Sequence, residues 1–412
     1  VSSVELLILI LFALAAIIRL VLTSRLVAAF RRPGNAPVAD QDLPLVIAVM
    51  ALRGGDEFLS ETLRRLTTMD YPRYHLRLVI DSPHDPARAI VEKFVRESQP
   101  KNTEVMYLGE RPLNCSGKIA GMLRGSADLP GHCSVVAVFD GDALVHRSCL
   151  RELVTPLMNG AALATGNRWY APADPTLGGI VRFLWNGCAV TVMNAVHIPW
   201  GGCMAMRSSV ISHPELRSRL ESAFGEDSTI ATFVLRNRQR VEFVPEATIV
   251  NSEDCTVGGF YNFLVRQYLT VRLHNPRWDF VFGSNFLLGF LLIGANVYFC
   301  TGADLFWWQI VVGYAMICTA VLIELATGAA LVRRQKQLVG VEVPRFTLRH
   351  WLMSPVAITL LNHMNFVACL HAQFIRRHEW RGITYRFPGA PAVEIIGVKP
   401  LAVRALADST EQ

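Results

Sequence analysis

Charge is what this sequence has least of. Only 18% of its 412 residues are Asp, Glu, Lys or Arg, against about 25% in ordinary soluble domains. A mean hydropathy of +0.31 accompanies that deficit, and the two together exclude an intrinsically disordered chain. No collagen-like triplet, internal repeat or low-complexity tract occurs. The nine cysteines contain no CxxC pair and no zinc-type spacing. A small disulfide scaffold is therefore excluded, and the thiols read as small hydrophobes in a reducing compartment. Three of them, Cys300, Cys318 and Cys369, lie inside apolar runs. The length predicts two or three domains, at roughly 150 residues each.

What is abundant is apolar length, 51% of the residues, and it is unevenly distributed. Residues 4–23 form a run about twenty residues long, enough to cross ~30 Å of hydrocarbon as a helix. Further runs cover residues 280–299 and 306–332, separated by a polar break at Thr301-Gly302-Ala303-Asp304. A fourth, residues 351–374, is interrupted by Pro355, Asn362, His363, Asn365 and His371. Clustering at the two ends of the sequence argues against core helices of a soluble protein. The first run lacks a basic n-region and a small-x-small cleavage site, so it reads as an anchor rather than a signal peptide.

Arg25, Arg31 and Arg32 follow the first run, and Arg333, Arg334 and Lys336 follow the third. The positive-inside rule places both groups, and the intervening domain, on the cytoplasmic face. A full fourth crossing would put Arg376, Arg377, Arg381 and Arg386 on the opposite side. The expectation is instead a re-entrant or interfacial hairpin broken near Pro355, its Asn and His side chains partnered by protein or water. The net charge of +6, mostly arginine, fits both an anionic leaflet and phosphate binding; no nucleic-acid partner is expected.

Between residues 25 and 278 strand and helix patterns alternate. Buried-strand runs at Leu45–Leu52, 76–80, 103–109 and 134–140 are separated by helix patterns at 60–69, 87–96 and 118–124. Such alternation predicts βαβ units and a parallel sheet, with ligands bound beyond the carboxyl ends of the strands. Arg53-Gly54-Gly55-Asp56, Asp81-Ser82-Pro83-His84-Asp85 and Asp140-Gly141-Asp142 stand at those ends. Two carboxylates around a glycine suit a hard divalent cation, although a lone DxD often only ends a strand. The Gly201-Gly202 loop is a plain turn or a backbone surface for a substrate ring. Glu226-Asp227 opens a helix, where acidic residues are favoured by the dipole in any case. Arg266, Gln267 and Arg272 lie on a helix before the second apolar run, where snorkelling would account for the arginines.

Taken in order, LRGGDEFLSETL, MDYPRYHLRLVIDSPHDP, NCSGK, VFDGDA, GGCMAMR, FGEDSTIA, RQYLTVR and WRGITYRF resemble the motifs of membrane-bound glycosyltransferases of family 2 and its relatives. The ceramide glucosyltransferase type is the nearest match. The resemblance spans nearly the whole chain and implies an α/β fold, a GT-A (Rossmann-like) domain flanked by transmembrane helices. It also implies a UDP-sugar donor such as UDP-glucose, a divalent metal (Mn or Mg) and a lipid acceptor. By position, Asp81 and Asp85 would hold uracil and ribose with Arg53 nearby, and Lys118 would reach the nucleotide. Asp140 and Asp142 would bind metal and diphosphate, and Asp227 would be the catalytic base. Arg266, Gln267 and Arg272 stand where the family carries a Q/R-x-x-R-W element that contacts diphosphate and acceptor; His197 falls at a pocket histidine. RQYLTVR lacks the adjacent Arg-Trp, and DSPHD leaves Asp81 and Asp85 unranked.

Displacement of UDP builds negative charge that a metal and arginines neutralise. A hydroxyl acceptor needs a carboxylate to take its proton, and in-line attack inverts the anomeric centre. The helix dipole is expected to lower the pKa of Asp227 and keep it ionised. The resulting organisation is an anchor helix (1–24), a cytoplasmic catalytic domain (25–278), a membrane region (279–374) and a cytoplasmic tail (375–412). Alternatives are a polyprenyl-phosphate or polysaccharide-forming glycosyltransferase, and a non-catalytic receptor or scaffold. A transporter is disfavoured by the small membrane part and the lack of repeat symmetry.

Overall fold

The computed structural model describes residues 3–32, 38–300 and 307–401; the polar break at 301–304 and residues 402–412 fall outside them. The chain opens with helix α1 (Ser3–Arg31). Nine strands follow: β1 (Leu45–Leu52), β2 (Tyr74–Ile80), β3 (Thr103–Tyr107), β4 (Cys133–Phe139), β5 (Leu163–Thr165), β6 (Arg168–Tyr170), β7 (Cys203–Arg207), β8 (Val241–Phe243) and β9 (Ile249–Asn251). Seven form one sheet in the order β3-β2-β1-β4-β7-β5-β8, while β6 pairs with β9. β1 to β4 associate in parallel, and β7 runs antiparallel to β4 and β5.

The apolar run of β1 explains the layering. Successive side chains of a strand point to opposite faces. Val46, Ala48 and Met50 enter one core with the apolar sides of α2 (Leu59–Thr67), α3 (Pro86–Ser98) and α5 (Cys149–Met158). Ile47 and Val49 enter a second core with α4 (Gly117–Gly125) and, beyond the long helix α6 (Leu177–Val196), α7 (Ser208–Ile211), α8 (Pro214–Leu220) and α9 (Glu226–Arg236). A strand covered on both faces must be apolar throughout, as LVIAVMAL is.

A third layer is helical: α1, α6, α10 (Val257–His274), α11 (Trp278–Cys300), α12 (Trp307–Leu338) and α13 (Leu348–Phe374). Four described segments are long and apolar enough to cross a membrane: Leu9–Arg31, Leu177–Val196, Val311–Leu338 and Leu348–Phe374. The second belongs to α6, inside the stretch expected to be purely catalytic. α1 and α12 run side by side in the same direction. Phe12 packs on Gly313, Arg19 pairs with Glu324 at 3.5 Å, and the two helix ends reach nearby points of the sheet domain. There Arg32 meets Glu242 at 3.1 Å and Lys336 Nζ donates to Glu246 O at 2.7 Å. The two basic groups flanking these helices therefore share one side.

The hairpin expected at Pro355 does not form; α13 is one helix of 27 residues with Pro355 inside it. Its polar residues need no break because they have partners. Asn365 accepts from the Tyr268 hydroxyl at 3.0 Å, and His371 meets Tyr261 at 3.2 Å. Both ends of α13 return to the catalytic body. Phe346 packs on Phe183 of α6 (ring centroids 4.2 Å) just before it starts. At its end Arg272 donates to Ala372 O and Gln373 O, and Trp278 donates to Gln373.

The segment beyond α13, expected as a tail, folds into a three-stranded antiparallel sheet of β10 (Arg377–Trp380), β11 (Ile383–Gly389) and β12 (Ala392–Val398). It is fastened to the catalytic domain by Ile395 N donating to Leu113 O at 2.7 Å, and by a core of Tyr385, Phe387 and Val393 around Phe224.

Candidate active site

A cavity of about 250 Å³ opens at the carboxyl ends of β1, β2 and β4, where an α/β sheet of this kind binds its ligands. Asp140 ends β4 and Asp142 follows it. Lys118 arrives on the first turn of α4, which Ser116 caps by accepting from Ile119 N. α4 lies close on β1 because Gly121 has no side chain; a Cβ there would stand 2.5 Å from Ala51 Cβ. Lys118 Nζ reaches Asp140 Oδ1 and Glu226 Oε1, both at 2.6 Å, and donates to Gly201 O at 3.2 Å. Against burial, which would lower it, Asp140 and Glu226 hold the Lys118 ammonium above its ordinary value. Burial would raise Asp140, but Lys118 and Arg168 bring it below the usual range, so it is ionised.

Gly201 and Gly202 form a turn that also permits close approach. A Cβ on Gly201 would overlap the Glu226 carboxylate, and one on Gly202 would strike the Trp200 ring and lie 2.5 Å from Asp140 Oδ2. Asp227, on the first turn of α9, lines the cavity and accepts from Ser228 N at 2.6 Å. Burial first, and then the neighbouring Glu226, raise its pKa to about 6. The expected lowering by the helix dipole is thus overturned: the dipole is worth at most about 2 kcal/mol, and desolvation beside another carboxylate outweighs it.

Arg53 and Arg111 both donate to the buried Asp81 carboxylate at the rim of β2. Opposite this polar wall stand Trp185, Asn186, Ala189 and Met193 of α6, and Phe263, Arg266, Gln267 and Thr270 of α10. Each set follows helical spacing, so each helix turns one face to the cavity. Arg266 lies over the Phe263 and Trp380 rings, at 5.4 and 4.8 Å from their centroids. Burial lowers its pKa, and among the described residues it has no carboxylate partner. The fourth wall comes from the C-terminal sheet. Arg381 and Gly382 occupy a two-residue turn with φ of +48° and +70°, a hairpin geometry that requires left-handed residues. It carries Trp380 and Arg381 into the cavity beside Tyr385.

Three expected residues lie elsewhere. Asp85 caps α3, its Oδ1 accepting from Ala87 N at 2.9 Å and Gly54 N at 2.8 Å. His197 ends α6 in the left-handed region (φ +58°) and lines a separate small cleft with Phe243. Arg272 binds the end of α13. Sequence reasoning missed Arg168, Trp380 and Arg381. WRGITYRF marked the last two without giving them a role; nothing in the spacing marks Arg168.

Among the described residues no cluster of three or more His, Cys, Asp or Glu side chains could hold a metal. The Asp140–Asp142 pair nonetheless offers two hard carboxylate ligands, the set that suits Mg²⁺ or Mn²⁺ when diphosphate and water complete the shell.

No curated protein matches the sequence. Among solved structures, a mannosyltransferase from Pyrobaculum calidifontis in complex with GDP-Man and Mn²⁺ is 16% identical, covers 89% of this chain and 98% of its own, and has a TM-score of 0.49. Glucosyl-3-phosphoglycerate synthase from Mycobacterium tuberculosis, in complex with Mn²⁺, UDP and phosphoglyceric acid, is 14% identical over 56% of this chain and 79% of its own, with a TM-score of 0.36. Residues 7–391 match the family described as glycosyl transferase family 21. The protein is a glycosyltransferase, and it belongs to glycosyl transferase family 21.

Proposed function

We propose that the protein is an inverting glycosyltransferase that moves a hexose, glucose in the first instance, from a UDP-sugar to the hydroxyl of a membrane lipid such as ceramide or diacylglycerol. One observation carries the reading. Asp227, a carboxylate whose pKa is raised to about 6, faces a cavity with charged residues on one wall and α6, a helix apolar enough to lie in a membrane, on the other.

In this reading Arg53 and Asp81 bound the nucleoside end, and Lys118 orients Asp140. Asp140 and Asp142 would hold a divalent cation, which would supply charge neutralisation at the diphosphate. Arg266, without a carboxylate of its own, and Gln267 and Arg381 are placed to hold the departing diphosphate. Such preorganised cations act at the charge that develops as the bond breaks. Asp227 takes the proton of the acceptor hydroxyl; a base with pKa near the working pH is both ionised and basic enough to do so. The aromatic faces of Trp185 and Phe263 line the side from which a lipid arrives. With both basic groups on the catalytic side, the positive-inside rule puts the domain on the cytoplasmic face.

The test is incubation of membranes containing the protein with labelled UDP-sugars, followed by mass spectrometry of extracted lipids. A hexosyl lipid, dependent on UDP-glucose, is expected. Label appearing only in polyprenyl phosphate or in polymer would overturn the acceptor assignment.

A further inference from the structure

Arg168 occupies the point where the charges of the site converge. Its Nη2 donates to Asp142 Oδ1 at 2.7 Å and lies 3.7 Å from Asp140 Oδ2. Its Nη1 donates to the Tyr170 hydroxyl at 3.1 Å, and its guanidinium lies 4.6 Å from the centroid of the Trp200 ring. Nε is buried and has no hydrogen-bond partner. The side chain is thus held through both terminal nitrogens, while its Nε donor is buried without a partner.

We propose that Arg168 is a placeholder for the divalent cation: it spans Asp140 and Asp142 before the cation binds, and turns to the diphosphate when cation and donor bind together. The inference rests on the reading of the cavity as a site for a nucleoside diphosphate sugar.

Charge gives the reason. Six carboxylates and five cationic side chains line the cavity. A dication alone would compete with Arg168 for the two aspartates and leave a guanidinium buried without an anion, which is costly. A diphosphate alone would add negative charge beside Asp140 and Asp142. Arriving together, the dication takes the carboxylates, and the diphosphate gives Arg168 a new acid partner in the bidentate geometry that guanidinium favours. Nε then gains an acceptor. Arg168 would therefore couple the two ligands, each raising the affinity for the other by the same factor.

The experiment is a Mn²⁺ titration of the purified full chain, free Mn²⁺ being read by electron paramagnetic resonance with and without UDP. The wild type is compared with Arg168→Gln and Arg168→Lys. Without UDP, Arg168→Gln is expected to bind Mn²⁺ about tenfold more tightly than the wild type, within the usual span of ligand coupling. With saturating Mn²⁺ it is expected to bind UDP about tenfold more weakly. Arg168→Lys keeps the charge but loses the planar fork, so Mn²⁺ affinity stays near the wild-type value and only UDP affinity falls. Unchanged Mn²⁺ affinity, or unchanged UDP affinity, in a folded Arg168→Gln protein overturns the proposal. Failure of the wild type itself to bind UDP in the presence of Mn²⁺ overturns the nucleotide-sugar reading as well, and so is told apart.

Discussion

Arg381 Nη2 stands 2.8 Å from Asp56 Oδ2, although 325 residues separate the two in sequence. The contact brings the end of the chain onto the loop after β1 and completes the cavity.

Arg381→Ala is expected to lower kcat about a hundredfold, the typical cost of removing one preorganised donor to developing charge. The sheet behind it is held separately through Tyr385 and Phe387, so thermal stability should hold. A steady-state assay with UDP-sugar reads the effect; wild-type kcat would remove Arg381 from the chemistry.

Asp227→Asn is expected to leave donor binding intact and cut transfer at least a hundredfold, the lower range for a lost general base. Isothermal titration with UDP and turnover with a lipid acceptor separate the two. Retained turnover would end the assignment of Asp227 as base.

The pH profile follows from the same residue. A base with pKa about 6 is ionised above that value and protonated below it, so activity is lost as pH falls through about 6. Glu226 repels the Asp227 charge, so Glu226→Gln should move the acid limb to lower pH. A limb that stays in place, or moves up, contradicts this electrostatic account.

Gly202→Ala tests the close approach beneath Asp140. The added methyl collides with Trp200 and with Asp140, and overpacking of this kind costs about 1–3 kcal/mol. A lower melting temperature with abolished transfer is expected; an active, equally stable variant would mean that the loop yields.

The Arg19–Glu324 pair ties α1 to α12, and the Glu324 side chain is only 1% exposed. Breaking a buried pair costs about 3–5 kcal/mol because one charge is left alone, whereas apolar replacement of both is often neutral. The Arg19 side chain keeps 26% exposure, which places the loss toward the smaller figure. Glu324→Leu should therefore melt earlier in detergent than Arg19→Leu/Glu324→Leu. Equal melting of the two would refute the coupling.

Reading the sequence recovered whatever was carried by continuous local pattern. LVIAVMAL is apolar at every position, and β1 has the expected bounds Leu45–Leu52. Asp140 and Asp142 follow a buried strand whose carboxyl end could be read from its apolar run, and both line the cavity there. The capping role of Asp85 was not read from the sequence, although the Asp-Pro pair that opens α3 is a helix-start signal. Asp227 lines the cavity as expected, but its pKa shifts up rather than down, since burial and the Glu226 neighbour are tertiary facts. Pro355 looked like a break, yet the surrounding packing holds one helix through it. Arg168, on a three-residue strand, and Arg381, on a late hairpin, enter the site only through folding across long separations, for which no spacing rule exists.

The position of Trp380 and Arg381 beyond α13 has a consequence for biogenesis. During synthesis α1 and the domain that carries Asp140 emerge first, then α11, α12 and α13, and only afterwards the hairpin that closes the site. Transfer chemistry cannot begin on a nascent chain before the apolar segments have left the ribosome, so sugar donor would be consumed only by molecules already past the point of membrane insertion.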